Sequence, residues 1–449
     1  MVAVARPGSA PPRSYHFPKF TDQKLGSGLR LVTARVNKLP VVTVLVVIDA
    51  GSSKDPRGKE GVAALTAAAL VEGTRKQSGA ELAEGFEQLG TSVESGADWD
   101  SAVLKITVLS EKLTAAVQLL GEVLVTPAFD HGEIERLKSE RLAEILQLET
   151  EPRGLADEKF AEFVYAEESR YSRPDEGTAK SVAGLTREDV VAFYEANYTS
   201  TTATIIVTGD IETESIAGLL VESFGGLPRD AAVEGQLPAV ARSLERKVHI
   251  VHKPDAPQSE IRVGHIGLPR LHPDFFPTLV MNAVLGGLFG SRINLNLREE
   301  HGYTYGASSY YDWRKGPGPF VISTAVQSDV TAAALGEIFM EVGRIRETEV
   351  SPEELSLATD YLQGVFPIRY ETTSSIASAL ASLVIYGLPA DYYDTYRRNI
   401  GKVSTRDVLA AAKAHINPHE LQTVIVGDAA VIAEPLRKAS IAAVQIYDG

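Results

Sequence analysis

One displacement constrains this chain more than any motif in it. Sliding the 449-residue sequence along itself by 218 positions sets Asp189 on Asp407, Val190 on Val408, Ala192 on Ala410 and Ala196 on Ala414. It also sets Gly209-Asp210 on Gly427-Asp428, Ser110 on Ser328, Ala115 on Ala333 and Glu135 on Glu353. The identities are sparse, but one offset held over most of the chain is the mark of an internal repeat, and each copy is long enough to be a domain. The chain therefore reads as a lead-in at 1–20, a first domain at 21–230, a linker at 231–245 and a second domain at 246–449. The linker belongs to the stretch 225–243, where Gly, Pro, Ala and isolated charges show no hydrophobic period.

Each copy spells out the same order of elements. Leu29–Arg35 and Val41–Ala50 are β-branched runs on either side of a short polar break, which predicts a hairpin. Gly61–Glu72 is apolar nearly all round and predicts a buried helix. Thr186 followed by Asp189 predicts a capped helix start, and Ala203–Gly209 a closing strand. After the linker, Lys247–His252 and Glu260–Gly267 repeat the first pair of strands. Regular strand–helix–strand alternation is missing. The fold class expected is α+β: two homologous domains in a clamshell, each a mostly antiparallel sheet with helices over one face.

Composition excludes several functions. The net charge of −15, with no region dominated by Lys and Arg, argues against nucleic acid as a partner. The absence of cysteine rules out disulfides and thiolate chemistry. No apolar run approaches 18 residues, so no membrane span is expected. Met1–Pro18 holds four prolines and no apolar core, and reads as a disordered lead-in. No nucleophile elbow, P-loop or dinucleotide fingerprint occurs. His249 and His252 fall on opposite faces of a strand, and Pro418 breaks the helical spacing of His415 and His419. Neither pair reads as a metal site.

Two stretches remain. The first is the loop and helix from Gly51 to Thr74. The second is Leu297-Arg298-Glu299-Glu300-His301-Gly302-Tyr303-Thr304-Tyr305-Gly306, a cation, two carboxylates, an imidazole and two phenols in a chain otherwise rich in Ala, Val and Leu. Gly302 makes an unbroken helix improbable, so Tyr305 is expected to open the following strand. Together these stretches resemble the pitrilysin/insulinase group of zinc peptidases, in particular its small two-domain subunits, and the resemblance runs over nearly the whole chain.

Active members of that group carry H-x-x-E-H on the first helix. The corresponding positions here are Ala64, Ala67 and Ala68. The group's third ligand, a glutamate on a later helix, is matched by Glu144, 76 residues after Ala68. One carboxylate alone does not hold zinc, so no metal or other cofactor is expected in this chain. Arg298 and Tyr305 match the arginine and tyrosine that, in the group, reach across the clamshell to the active site. The resemblance implies a division of labour. This chain supplies Arg298 and Tyr305 to position substrate and stabilise an oxyanion, while a homologous H-x-x-E-H subunit supplies zinc in a heterodimer that cleaves peptides or unfolded segments. Alone, the chain is expected to be inactive. The alternative it leaves open is a non-enzymatic core subunit derived from the same peptidases. The resemblance also suggests export to the periplasm, with the cytoplasm as the alternative.

Overall fold

The computed structural model describes residues 14–229 and 245–448, so most of the lead-in and nearly all of the expected linker lie outside the described residues. The first domain opens with β1 (Phe20–Lys24), β2 (Arg30–Arg35) and β3 (Val41–Ile48), then α1 (Val62–Ala69) and α2 (Gly79–Gln88). It continues through β4 (Glu94–Ala97), β5 (Ala102–Leu109), α3 (Leu113–Val125), α4 (His131–Thr150) and α5 (Pro152–Val164). It closes with α6 (Ala179–Ala183), α7 (Arg187–Asn197), β6 (Ala203–Gly209) and α8 (Thr213–Phe224).

The second domain runs β7 (Lys247–His252), β8 (Gln258–Ile266), α9 (Phe275–Asn282), α10 (Arg292–Asn294), β9 (Ala307–Tyr311) and β10 (Pro319–Gln327). Helices α11 (Thr331–Glu347), α12 (Pro352–Arg369), α13 (Thr373–Tyr386), α14 (Tyr392–Gly401) and α15 (Thr405–His415) follow. The last elements are β11 (Gln422–Gly427), α16 (Ala429–Ala439) and β12 (Ala443–Asp448). Displaced by 218, α7 falls on α15 residue for residue. Even the caps repeat: Thr186 with Asp189 and Ser404 with Asp407 each form a reciprocal capping box.

Five strands of each sheet repeat as well, and the outermost differs, β1 opening its domain antiparallel to β2 and β12 closing its domain parallel to β7. The strand orders are β1-β2-β6-β3-β5-β4 and β12-β7-β11-β8-β10-β9, antiparallel except where β2 meets β6 and where β7 meets β11 and β12. This corrects the expected hairpins. β2 and β3 are not neighbours, because the last strand of the domain, β6, inserts between them, parallel to one and antiparallel to the other. β11 separates β7 from β8 in the same way. Closeness in sequence suggested pairing, but the returning strand is buried along its whole length and takes the central position.

A second correction concerns the sheet faces: both are covered. Val42, Val44, Val46 and Ile48 of β3 point into the first domain's own core with α1, α3 and α7. Leu45 and Val47 point the other way, into a core shared with Ile376, Leu380 and Leu383 of α13 from the second domain. The exchange is reciprocal. Leu155, Ala156, Phe160 and Val164 of α5 pack on Val251, Val424 and Val426 of the second sheet. α5 and α13 are repeat equivalents, so each domain lends one helix to the other's sheet. That is why β3 reads as a continuous apolar run rather than an alternating one. Thr373 on α13 seals the seam: its hydroxyl pairs with Thr43 at 2.9 Å and its carbonyl accepts from Thr208 at 2.8 Å.

Part of the expected lead-in is packed. Phe17 stacks on Tyr393 with centroids 4.5 Å apart, and Tyr15 donates to the Tyr370 carbonyl at 2.9 Å. No described helix is long and apolar enough to cross a membrane.

Candidate functional site

Helix α1 is built with care and offers no ligand. Its entry residue Gly61 is left-handed (φ +96°), and a Cβ there would stand 2.6 Å from the Glu176 carbonyl oxygen. Asp55 anchors the helix start, accepting from the Gly61 and Ala63 N–H groups at 2.7 and 2.9 Å. Those are among the donors a helix start leaves unsatisfied. Arg170, also buried, pairs with the same carboxylate at 2.8 Å and lies over Trp99. Burial pushes the Asp55 carboxyl up to about 6, against the opposing pull of Arg170 and the two N–H groups.

On this helix Ala67 is buried and Ala64 and Ala68 are half-buried, and methyl groups cannot ligate. Glu144 is exposed on α4 and pairs with Arg141 at 3.2 Å, which also reaches Glu176 at 2.6 Å. A guanidinium thus answers Glu144's charge. Among the described residues, no trio of potential ligands includes Glu144 or any residue of α1.

The segment around Arg298 is wound as a π-helix over Leu295–Glu300, a widened turn often found at functional sites. Leu297 anchors it in the core. Gly302, at φ +66°, ends it as expected, and Tyr303 folds back to donate to the Leu297 carbonyl at 2.8 Å. Arg298 lies over the exposed Phe289 ring, 4.6 Å from its centroid, and 3.5 Å from Glu299. Tyr305 does not start a strand, since β9 begins at Ala307. Instead it sits between two tethered residues: Thr304 Oγ donates to the Gly306 carbonyl at 2.8 Å and accepts from the Gly306 N–H at 3.1 Å. The backbone is held while the side chain projects, 94% exposed.

Tyr305 borders a cleft of about 560 Å³ shared with Arg153, Asp157, Glu260, Arg262 and Tyr310. Arg262 is buried at its floor and bridges Asp157 of the first domain (2.5 Å) and Glu260 of the second (3.0 Å). Arg298 does not line this cleft, and no contact is recorded between it and Tyr305 among the described residues. Nor does any residue of α1, or Glu144, line it. Within one chain, Arg298, Tyr305 and the α1 alanines are not assembled into one site. Sequence reasoning missed Asp55, Arg170 and Arg262. The only local signal was Asp55 in the polar loop before α1, because its partner lies 115 residues away.

The geometry has relatives. Residues 30–173 match the model for insulinase (peptidase family M16), and residues 184–362 match that for the peptidase M16 inactive domain. The chain belongs to the insulinase family. It is 25% identical over 397 residues to the non-peptidase homolog YmxG of Helicobacter pylori, covering 87% of this chain and 90% of that one. It is 27% identical over 278 residues to a probable mitochondrial-processing peptidase subunit beta of Schizosaccharomyces pombe, covering 60% and 59%. A solved peptidase M16 inactive domain from Pseudomonas fluorescens superposes with a TM-score of 0.85 at 26% identity, covering 91% of this chain and 98% of that one. Among M16 chains this one keeps the two-domain fold and lacks the ligands of a zinc helix.

Proposed function

We propose that this chain is the non-zinc-binding subunit of a two-chain M16 peptidase. In this reading Arg298 and Tyr305 are its contribution to a site whose zinc is held by a homologous H-x-x-E-H subunit. One observation carries the reading: α1 folds with alanine at all three zinc positions, while Tyr305 stands almost fully exposed on a tethered turn near Arg298. A side chain placed that way is open to a partner or a substrate. Facing a second subunit, a phenol and a guanidinium can donate to a peptide carbonyl as it becomes an oxyanion beside zinc. They also hold the substrate backbone in register.

The substrate class is peptides and unfolded segments. The test is to purify this chain and an H-x-x-E-H homologue from the same genome, then assay each alone and both together. Peptide hydrolysis that appears only in the mixture supports the reading. A stable complex without hydrolysis refutes it in favour of a structural subunit, and the absence of any complex refutes both.

A further inference from the structure

Three potential ligands that lie far apart in sequence meet where α9 begins and α15 ends. His272 and Asp274 lie just before α9, and His415 is the last residue of α15. His415 Nε2 stands 2.7 Å from Asp274 Oδ2. The Asp274 N–H donates to His272 Nδ1 at 3.1 Å, and the two imidazole centroids are 5.0 Å apart. One ligand atom from each of the three residues lies within 4.8 Å of the other two. Around a tetrahedral ion with bonds of about 2.1 Å, ligand atoms stand roughly 3.4 Å apart. The His415–Asp274 pair now stands closer than that, at hydrogen-bond distance, so the two side chains open slightly and His272 turns toward them to admit an ion.

The surroundings favour such a rotation. The His415 side chain is mostly buried, and its carbonyl accepts from the Tyr311 hydroxyl at 3.4 Å, so one ligand is fixed. The Asp274 side chain is about half exposed, and its bond to His415 is the one an ion would replace. The cation nearest His272 in sequence, Arg270, is engaged elsewhere, over the Phe275 ring at 3.8 Å and on the Tyr392 hydroxyl at 2.6 Å.

We propose that His272, Asp274 and His415 form a binding site for a borderline divalent cation of the Zn²⁺ or Ni²⁺ type. Two imidazoles and a carboxylate suit these ions better than Mg²⁺ or Ca²⁺, and three protein ligands leave a coordination position open. The ion ties the segment entering α9 to the end of α15, two helices that already pack together. The site is separate from α1 and does not depend on the roles given to Arg298 and Tyr305.

The test uses the full chain, stripped with a chelator and titrated with Zn²⁺ alone by calorimetry and with Co²⁺ by visible absorption. The expected result is one equivalent bound and a melting temperature raised by several degrees at excess Zn²⁺. His272→Ala and Asp274→Asn should each weaken binding at least tenfold, and His252→Ala, outside the trio, should leave it unchanged. Asp274→Asn keeps an acceptor for His415, so it decides the matter if the alanine variant does not fold. No stoichiometric uptake, or uptake that Asp274→Asn leaves unaltered, overturns the proposal.

Discussion

The two halves of the chain share a fold, and the difference between them that bears on function lies at one helix and the sheet edge beside it. Displaced by 218, Ala64, Ala67 and Ala68 of α1 correspond to Asn282, Leu285 and Gly286 at the end of α9 and beyond it. In the second half these positions fasten the helix to the edge strand β9. Asn282 Nδ2 donates to the Ser309 carbonyl at 3.0 Å, and Asn282 Oδ1 accepts from the Ser309 hydroxyl at 2.7 Å. Asn294 takes the Ala307 N–H at 3.0 Å, and a Cβ on Gly286 would lie 2.4 Å from Ser309 Oγ. The edge is plugged.

In the first half, among the described residues, one side-chain bond joins α1 to β4, from Ser95 Oγ to the Ala67 carbonyl at 2.6 Å. The outward-facing backbone groups of Ser95 and Ala97 have no recorded partner among the described residues. A repeat that began as one unit has thus closed one edge and left the other open. An open edge is costly to keep unless something pairs with it.

Four measurements break or sharpen this contrast. The largest effect is expected at the anchor of α1. Arg170→Ala removes the counter-charge of a buried carboxylate, and denaturant unfolding should show a loss of about 3–5 kcal/mol. A loss below about 1 kcal/mol would mean that α1 is not held by this pair. Next, Asn282→Ala leaves the Ser309 carbonyl and hydroxyl without their bonds and should cost about 1–3 kcal/mol. Native-state hydrogen exchange gives the direct comparison of edges: the Ala307 amide should be protected, and the Ser95 and Ala97 amides should exchange early. Equal protection at the two edges would remove the contrast. The smallest effect belongs to Glu144→Gln, which touches an exposed pair and should change stability by less than about 1 kcal/mol.

What could be read from sequence follows from how local each signal is. The repeat, the capping box at Thr186 and the three alanines depend on spacing along the chain, so they were legible. Gly302 was legible too, since a left-handed residue ends a helix whatever surrounds it. Strand neighbours were not: β2 and β3 look like a hairpin until β6, some 160 residues later, takes the place between them. The exchange of α5 and α13 was equally hidden, because an amphipathic period shows that a helix is buried but not against which domain. The His272–Asp274–His415 trio escaped for the same reason. His415 was weighed only against His419, its neighbour in sequence, while its partner Asp274 lies 141 residues away.

The central claim is that Arg298 and Tyr305 act on chemistry that another chain begins. The most direct measurement is kcat/KM of the reconstituted pair with this chain carrying Arg298→Ala and Tyr305→Phe, after chromatography shows that the complex still forms. The account predicts a fall of about 10²–10³-fold, carried mainly by kcat. An unchanged kcat/KM in an intact complex would contradict it.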